Sequence, residues 1–237
     1  MKQLSLVLLL LGSAALRPNG ATAQRVLLRG AAAQDTVYAP YGPNRASYNH
    51  LYVSYLPVVG AADGPGAELR YGSSAEFAVG MRNKFQLSQP LDLGFDLRLA
   101  RLTYNLAQMA GKVLPTPTQH YRESLVLSQV QLETFVRLNV GARGNVIGRY
   151  LDLTGWGGWV LSTAHRTEDR PGSGPKKVKT TENGLPYLRR WPYGVGARLG
   201  SGRYAAVARY RLSNTFTANA AFPELPCWTV GLEIGWL

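Results

Sequence analysis

The feature that most constrains this chain is a two-residue alternation that recurs from its middle to its end. In the last segment Trp228, Val230, Leu232, Ile234 and Trp236 alternate with Thr229, Gly231, Glu233 and Gly235. Successive side chains of a strand point to opposite faces, so this spacing predicts a strand with one apolar and one polar side. Leu91, Leu93, Phe95, Leu97 and Leu99 repeat it against Asp92, Gly94, Asp96 and Arg98. Val130 to Val140 does so against Gln129, Gln131, Glu133, Phe135, Arg137 and Asn139. Further faces are Leu151, Leu153, Gly155, Gly157, Trp159 and Leu161, and Tyr204, Ala206, Ala208, Tyr210 and Leu212. Shorter versions start at Leu51, Phe77 and Tyr193, which makes eight expected strands. Proline, which cannot donate to a ladder, falls between these runs or at their ends; Pro192 is the most intrusive, at the outer end of the sixth strand.

The connections alternate between short turns, near Ser88-Gln89-Pro90, Gly144-Asn145 and Gly200-Ser201-Gly202, and long loops. Short turns at one end and long loops at the other is the outer-membrane pattern, with the termini on the periplasmic side. The expected fold is therefore all-β: a transmembrane, up-and-down, antiparallel β-barrel of eight strands with a filled polar lumen. Eight strands leave an interior that side chains alone can fill.

Two features favour a membrane over a soluble barrel. The polar face carries both signs of charge: Asp92, Asp96, Glu133 and Glu233 with Arg82, Arg98, Arg137, Arg198, Arg209 and Arg211. These are expected to pair as a lumen charge network. Aromatics also bracket the apolar face. Trp228 and Trp236 stand eight residues apart, roughly 26 Å of strand, against an apolar band of about 25 Å. Tyr204 and Tyr210 bracket another strand, and Tyr55, Tyr104, Trp159 and Tyr193 complete the expected aromatic girdle.

The organisation follows. Residues 1–23 read as a signal peptide: Lys2, the apolar run Leu4 to Leu11, and Ala21-Thr22-Ala23 before Gln24. Residues 24–46, with Pro40, Gly42 and Pro43, read as a flexible periplasmic arm, and residues 47–237 as the barrel. The net charge is +12. Export argues against nucleic acid as the partner, and favours outer-membrane lipid, including lipopolysaccharide phosphates, or other envelope and secretion proteins. The basic segment Ala164 to Arg190 carries Arg166, Arg170, Lys176, Lys177, Lys179, Arg189 and Arg190 against Glu168, Asp169 and Glu182. It is expected as an exposed outer loop that meets such an anionic partner, or simply as a solvated flexible loop.

The Ala-Thr-Ala-Gln signal ending, Tyr150-Leu-Asp-Leu-Thr-Gly-Trp-Gly-Gly-Trp159, Tyr210-Arg-Leu-Ser-Asn-Thr-Phe216 and Leu225-Pro-Cys-Trp-Thr-Val-Gly-Leu-Glu-Ile-Gly-Trp-Leu237 resemble the PorT-like, or porin family, outer-membrane β-barrel proteins. That resemblance implies an outer-membrane barrel, with some relatives tied to protein secretion or gliding. The chain departs from the family in ending on Leu237 after Trp236 rather than on an aromatic residue.

Chemistry is harder to place. Tyr210-Arg211-Leu212-Ser213-Asn214 resembles the His-x-Ser-Asn segment of lipid A deacylases, but Arg211 stands where the base belongs and cannot accept a proton. His50, His120 and His165 share no local motif with a serine. Gly155-Trp156-Gly157-Gly158 lies within an alternating strand and reads as a thinned, curved wall. Cys227 is alone and can neither form an internal disulfide nor make a metal site. No catalytic residue, cofactor or metal is expected. The functional expectation is a structural platform for secretion, adhesion or envelope integrity. The alternatives are a narrow channel or transporter, a lipid A-modifying enzyme, and a secreted soluble barrel.

Overall fold

The computed structural model describes residues 42–141, 145–172, 176–218 and 220–236. The expected signal peptide, most of the arm, residues 142–144 and 173–175, and Leu237 lie outside them. The end of the arm is tied down rather than loose. Lys84 Nζ donates to Pro43 O at 2.9 Å, and Gln86 N to Ala46 O at 2.8 Å.

The described chain is all β. Its strands are β1 (Ser47–Val59), β2 (Ala75–Gln86), β3 (Leu91–Asn105), β4 (Arg122–Val140), β5 (Arg149–Asp169), β6 (Val178–Asn183), β7 (Tyr193–Ser201), β8 (Tyr204–Arg211) and β9 (Trp228–Trp236). Every pairing is antiparallel and joins chain neighbours, apart from β5 with β7 across the β6 excursion and the closure of β9 on β1. Eight strands thus close an up-and-down barrel with no free edge, the arrangement that leaves no ladder group exposed for misassociation. The ninth, β6, pairs only with the far end of β5, Ala164 to Asp169.

Three short connections, the start of β1 and the end of β9 lie at one end of the barrel. Four long connections lie at the other: 60–74, 106–121, 170–192 (which contains β6) and 212–227. The tightest turn, Gly202-Arg203, places its glycine at φ +59°, while among the described residues no non-glycine residue takes positive φ. A glycine first in a two-residue loop matches the strand twist.

The alternation holds strand by strand. On β3 the residues Asp92, Asp96, Arg98 and Ala100 are buried, while Leu93, Phe95, Leu97 and Leu99 are exposed. On β9 Glu233 is buried, and Val230, Leu232, Ile234 and Trp236 are exposed. The barrel is therefore inverted relative to a water-soluble one: charge inside, apolar surface outside. Buried apolar residues gather in two clusters, the larger where the long connections meet and a smaller one of Leu56, Ile147, Tyr150, Ala205 and Val207.

Candidate functional site

The middle of the lumen is built from glycines upward. Gly80, Gly94, Gly194 and Gly200 point inward, and each faces a ring on its register partner: Tyr52, Phe135, Trp156 and Tyr150 respectively. A Cβ at any of the four would stand within 3.0 Å of that ring. Each missing side chain lets an aromatic lie across the neighbouring strand. The rings in turn carry guanidinium groups. Arg137 sits 3.6 Å from the centroid of Tyr150, Arg209 4.3 Å from Trp156, and Arg82 4.6 Å from Tyr52. Such cation–π contacts hold a cation while satisfying part of its charge.

Held this way, the arginines reach carboxylates on other walls. Arg82 binds Asp96 at 2.8 Å and Glu233 at 2.7 Å. Arg137 forks onto Asp152, with Nε and Nη2 at 2.7 and 2.9 Å. Arg198 joins Asp96 and Asp152, both at 3.2 Å, and also Glu133, so one β7 side chain ties three other strands together. Arg98 and Arg209 share Glu76 at 2.5 and 2.7 Å and both approach Glu133. Gln131 accepts from Arg209 at 2.9 Å and donates to Glu76. Five guanidiniums thus meet the five carboxylates of Glu76, Asp96, Glu133, Asp152 and Glu233, and the charges balance. Arg82, Arg137 and Arg198 are each 1% exposed.

All ten residues expected in the lumen lie inside, but two stand apart from the central network. Asp92 accepts from Asn139 Nδ2 at 3.0 Å near the short-turn end. Arg211 lies at the opposite mouth, donating to Glu224 at 2.8 Å and to the carbonyls of Ser213 and Leu225. Glu76 and Asp152, which carry four of the guanidinium pairings, are not among the expected residues. Both fall at strict alternation within their strands, and that parity was the signal.

Above this layer the lumen changes character. Val58, Leu102, Leu114, Leu125, Phe216 and Leu225, with neighbours from every long connection, form a buried apolar cap. Tyr104 belongs here. It is 2% exposed and so is not part of an outer aromatic ring, because even-numbered residues of β3 face inward. The other expected aromatics do face outward, at two levels: Tyr204 and Trp236 near the short turns, and Tyr55, Trp159, Tyr193, Tyr210 and Trp228 near the long connections.

Polar staples beyond the apolar belt hold the cap. Buried Glu123 accepts from Lys112 and Gln108, both at 2.8 Å, and meets His165 Nε2 at 2.8 Å. His165 also faces Glu182 on β6 at 3.5 Å. His120 Nδ1 lies 3.0 Å from Asp169. Burial alone would raise the Glu123 carboxyl, but the hydrogen bonds from His165, Lys112 and Gln108 outweigh it and hold it below its ordinary value. The hydrogen bond to Glu123 raises His165 against the opposing effect of burial. Burial pushes the Tyr187 phenol, packed on the cap, up to about 12.

The basic segment is more ordered than a loop. Arg166 lies on β5 and Lys179 on β6, while Arg170, Lys176, Lys177, Arg189 and Arg190 are exposed in the flanking connections. The Ser213 hydroxyl accepts from Tyr193 N–H at 3.2 Å. Among the described residues no group of three or more His, Cys, Asp or Glu side chains is placed to hold a metal ion, and no helix is long and apolar enough to cross a membrane. No protein-family model matches the chain, and no curated protein matches it.

Proposed function

We propose that this protein is an outer-membrane barrel that acts as an anchored structural platform, with the long connections facing out of the cell and both ends in the periplasm. The observation that carries the reading is the inversion of the wall. Leu97, Leu99, Leu232 and Trp236 are 49%, 62%, 65% and 78% exposed, while Asp96 and Arg198 behind them are 0% and 1% exposed. Soluble monomers rarely expose contiguous apolar patches above a few hundred Å². A girdled apolar band over a polar interior is what lipid requires of a barrel. The two levels of outward aromatics support the same reading, as does the resemblance of the chain to PorT-like barrels.

A platform is favoured over a channel by the charge-balanced, solvent-excluded lumen and by the apolar cap above it. Its role is to present the capped outer surface, including the basic β5–β6 hairpin, to partners in secretion, adhesion or envelope integrity. Fractionation with a carbonate wash, together with gels of boiled and unboiled protein, tests the membrane reading. The protein is expected to stay with outer membranes and to migrate differently when unboiled. A soluble protein that migrates alike with and without boiling would end the proposal. Planar-bilayer recordings should show no steady conductance.

A further inference from the structure

Two grooves lie one above the other on the outer wall of β3, β4 and β5. The lower one, about 290 Å³, is lined by Phe77, Val79, Leu99, Leu161 and the small Ser128, with Arg101 at its rim. The β4–β5 register shifts between Ser128 and Gln129, leaving Leu161 without a partner, and Ser128, paired across the strands with Arg101 and Ser162, is too small to fill the space. The upper one, about 310 Å³, is polar. It follows a cross-strand row, Asn105–Ser124–Arg166–Thr181, and the next row, Arg122–Glu168–Lys179. Ser124 and Ser128 are four residues apart on β4, so the grooves are separated by about 13 Å.

The upper groove is cationic and only partly neutralised. Glu168 meets Lys179 at 4.0 Å and Lys177 at 3.6 Å. Arg122 lies 5.5 Å from the Tyr121 ring, and among the described residues neither it nor Arg166 has a carboxylate within ion-pair distance. Arg122, Arg166 and Lys179, with the hydroxyls of Ser124 and Thr181, line one space together with the carboxylates of Glu123 and Glu168, and the cations outnumber the carboxylates. Guanidinium groups match the oxygens of a phosphate bidentately. The apolar groove lies below on the same strands, at the upper edge of the exposed apolar belt.

We propose that the two grooves form one site for a membrane lipid with a phosphomonoester head group, its phosphate held by Arg122, Arg166 and Lys179 and one acyl chain laid against Ser128 and Leu161. The proposal rests on the membrane reading above and gives the basic hairpin a specific ligand. A phosphate without a tail would leave the lower groove empty. A zwitterionic lipid would set a choline cation among three protein cations.

The test is native mass spectrometry of the full mature barrel in detergent. The probes are dimyristoyl phosphatidic acid and dimyristoyl phosphatidylcholine, with inorganic phosphate as competitor. Phosphatidic acid should be retained about tenfold more tightly than phosphatidylcholine, as loss of one hydrogen bond to a charged group implies. The combined R122Q, R166Q and K179Q variant should lose that preference while keeping its unboiled gel shift. Ser128→Trp, which fills the lower groove, should weaken retention of both lipids. Equal retention of the two lipids, an unchanged preference in the triple variant, or full competition by inorganic phosphate would each overturn the site. A barrel that needs no detergent and shows no gel shift would instead overturn the membrane reading on which the site depends.

Discussion

The two levels of the lumen are sealed by opposite chemistries. In the middle, charged side chains from seven of the eight walls interlock; at the long-loop end, apolar side chains from four connections do so. The middle uses groups whose burial is costly and which are kept because each has its partner. The cap uses groups whose burial is favourable in itself, about 1.5–3 kcal/mol for a large apolar side chain such as Leu114 or Leu225. The middle should therefore fail when one partner is removed. The cap should fail locally, by loosening of its staples, while the wall stays closed.

The largest expected effect comes from Arg198→Ala. It leaves Asp96, Glu133 and Asp152 without their shared cation. Removal of one partner from a buried pair costs about 3–5 kcal/mol, and urea unfolding in detergent or bilayers should show it. Glu133→Ala should act in the same direction and leave conductance unchanged. A near-neutral result for both would mean that water, not side-chain pairing, fills the lumen.

Next is Leu97→Arg, on the outer face beside the network. An arginine at the lipid-facing midplane costs about 2–4 kcal/mol. Folding yields into bilayers should fall, whereas a barrel in water would tolerate or benefit from the change. Gly194→Ala sharpens the comparison from within. Its Cβ would run into the Tyr210 carbonyl oxygen and meet the Trp156 ring at 2.8 Å, so the β8 backbone must shift, and overpacking of this kind costs about 1–3 kcal/mol or more.

The smallest effect concerns the cap alone. His165 has a folded pKa above its ordinary 6.5, so its contribution is complete below 6.5 and is lost as pH rises through the folded value. Glu123 is held below 4.5, so its contribution is complete above 4.5 and is lost as pH falls through its folded value. Limited proteolysis of the 106–121 and 170–192 connections should therefore be slowest between those two losses. His165→Gln should remove the alkaline step and leave barrel melting unchanged.

The same contrast explains what could be read from the sequence. The wall was legible because a period of two is local: Leu93, Phe95, Leu97 and Leu99 declare their face without reference to any partner. The inward placement of the charged residues followed from parity. Glu76 gives little signal because it lies at the start of β2, one residue before the apolar run that marks the strand. Asp152 sits on the polar side of a strand whose apolar side carries the pattern. Tyr104 reads as an outer-ring aromatic from its type and its place near a strand end, but its parity turns it inward.

The β5–β6 hairpin gave no periodic signal because both of its faces are polar above the apolar belt. Its register is fixed by pairs such as Glu168 with Lys179, which are visible only once the strands are side by side. The cap was illegible for the same reason: Leu114, Leu188 and Phe216 come together from connections distant in sequence.

The central claim is that the exposed apolar face lies against lipid. The most direct measurement places a nitroxide label singly at Phe95, Leu97 and Leu99, in a Cys227→Ser background, on the barrel reconstituted in lipid. Collision rates with molecular oxygen and with a water-soluble nickel chelate are then compared. The account predicts high oxygen and low nickel accessibility at all three positions. High nickel accessibility at all three would place that face in water and contradict it.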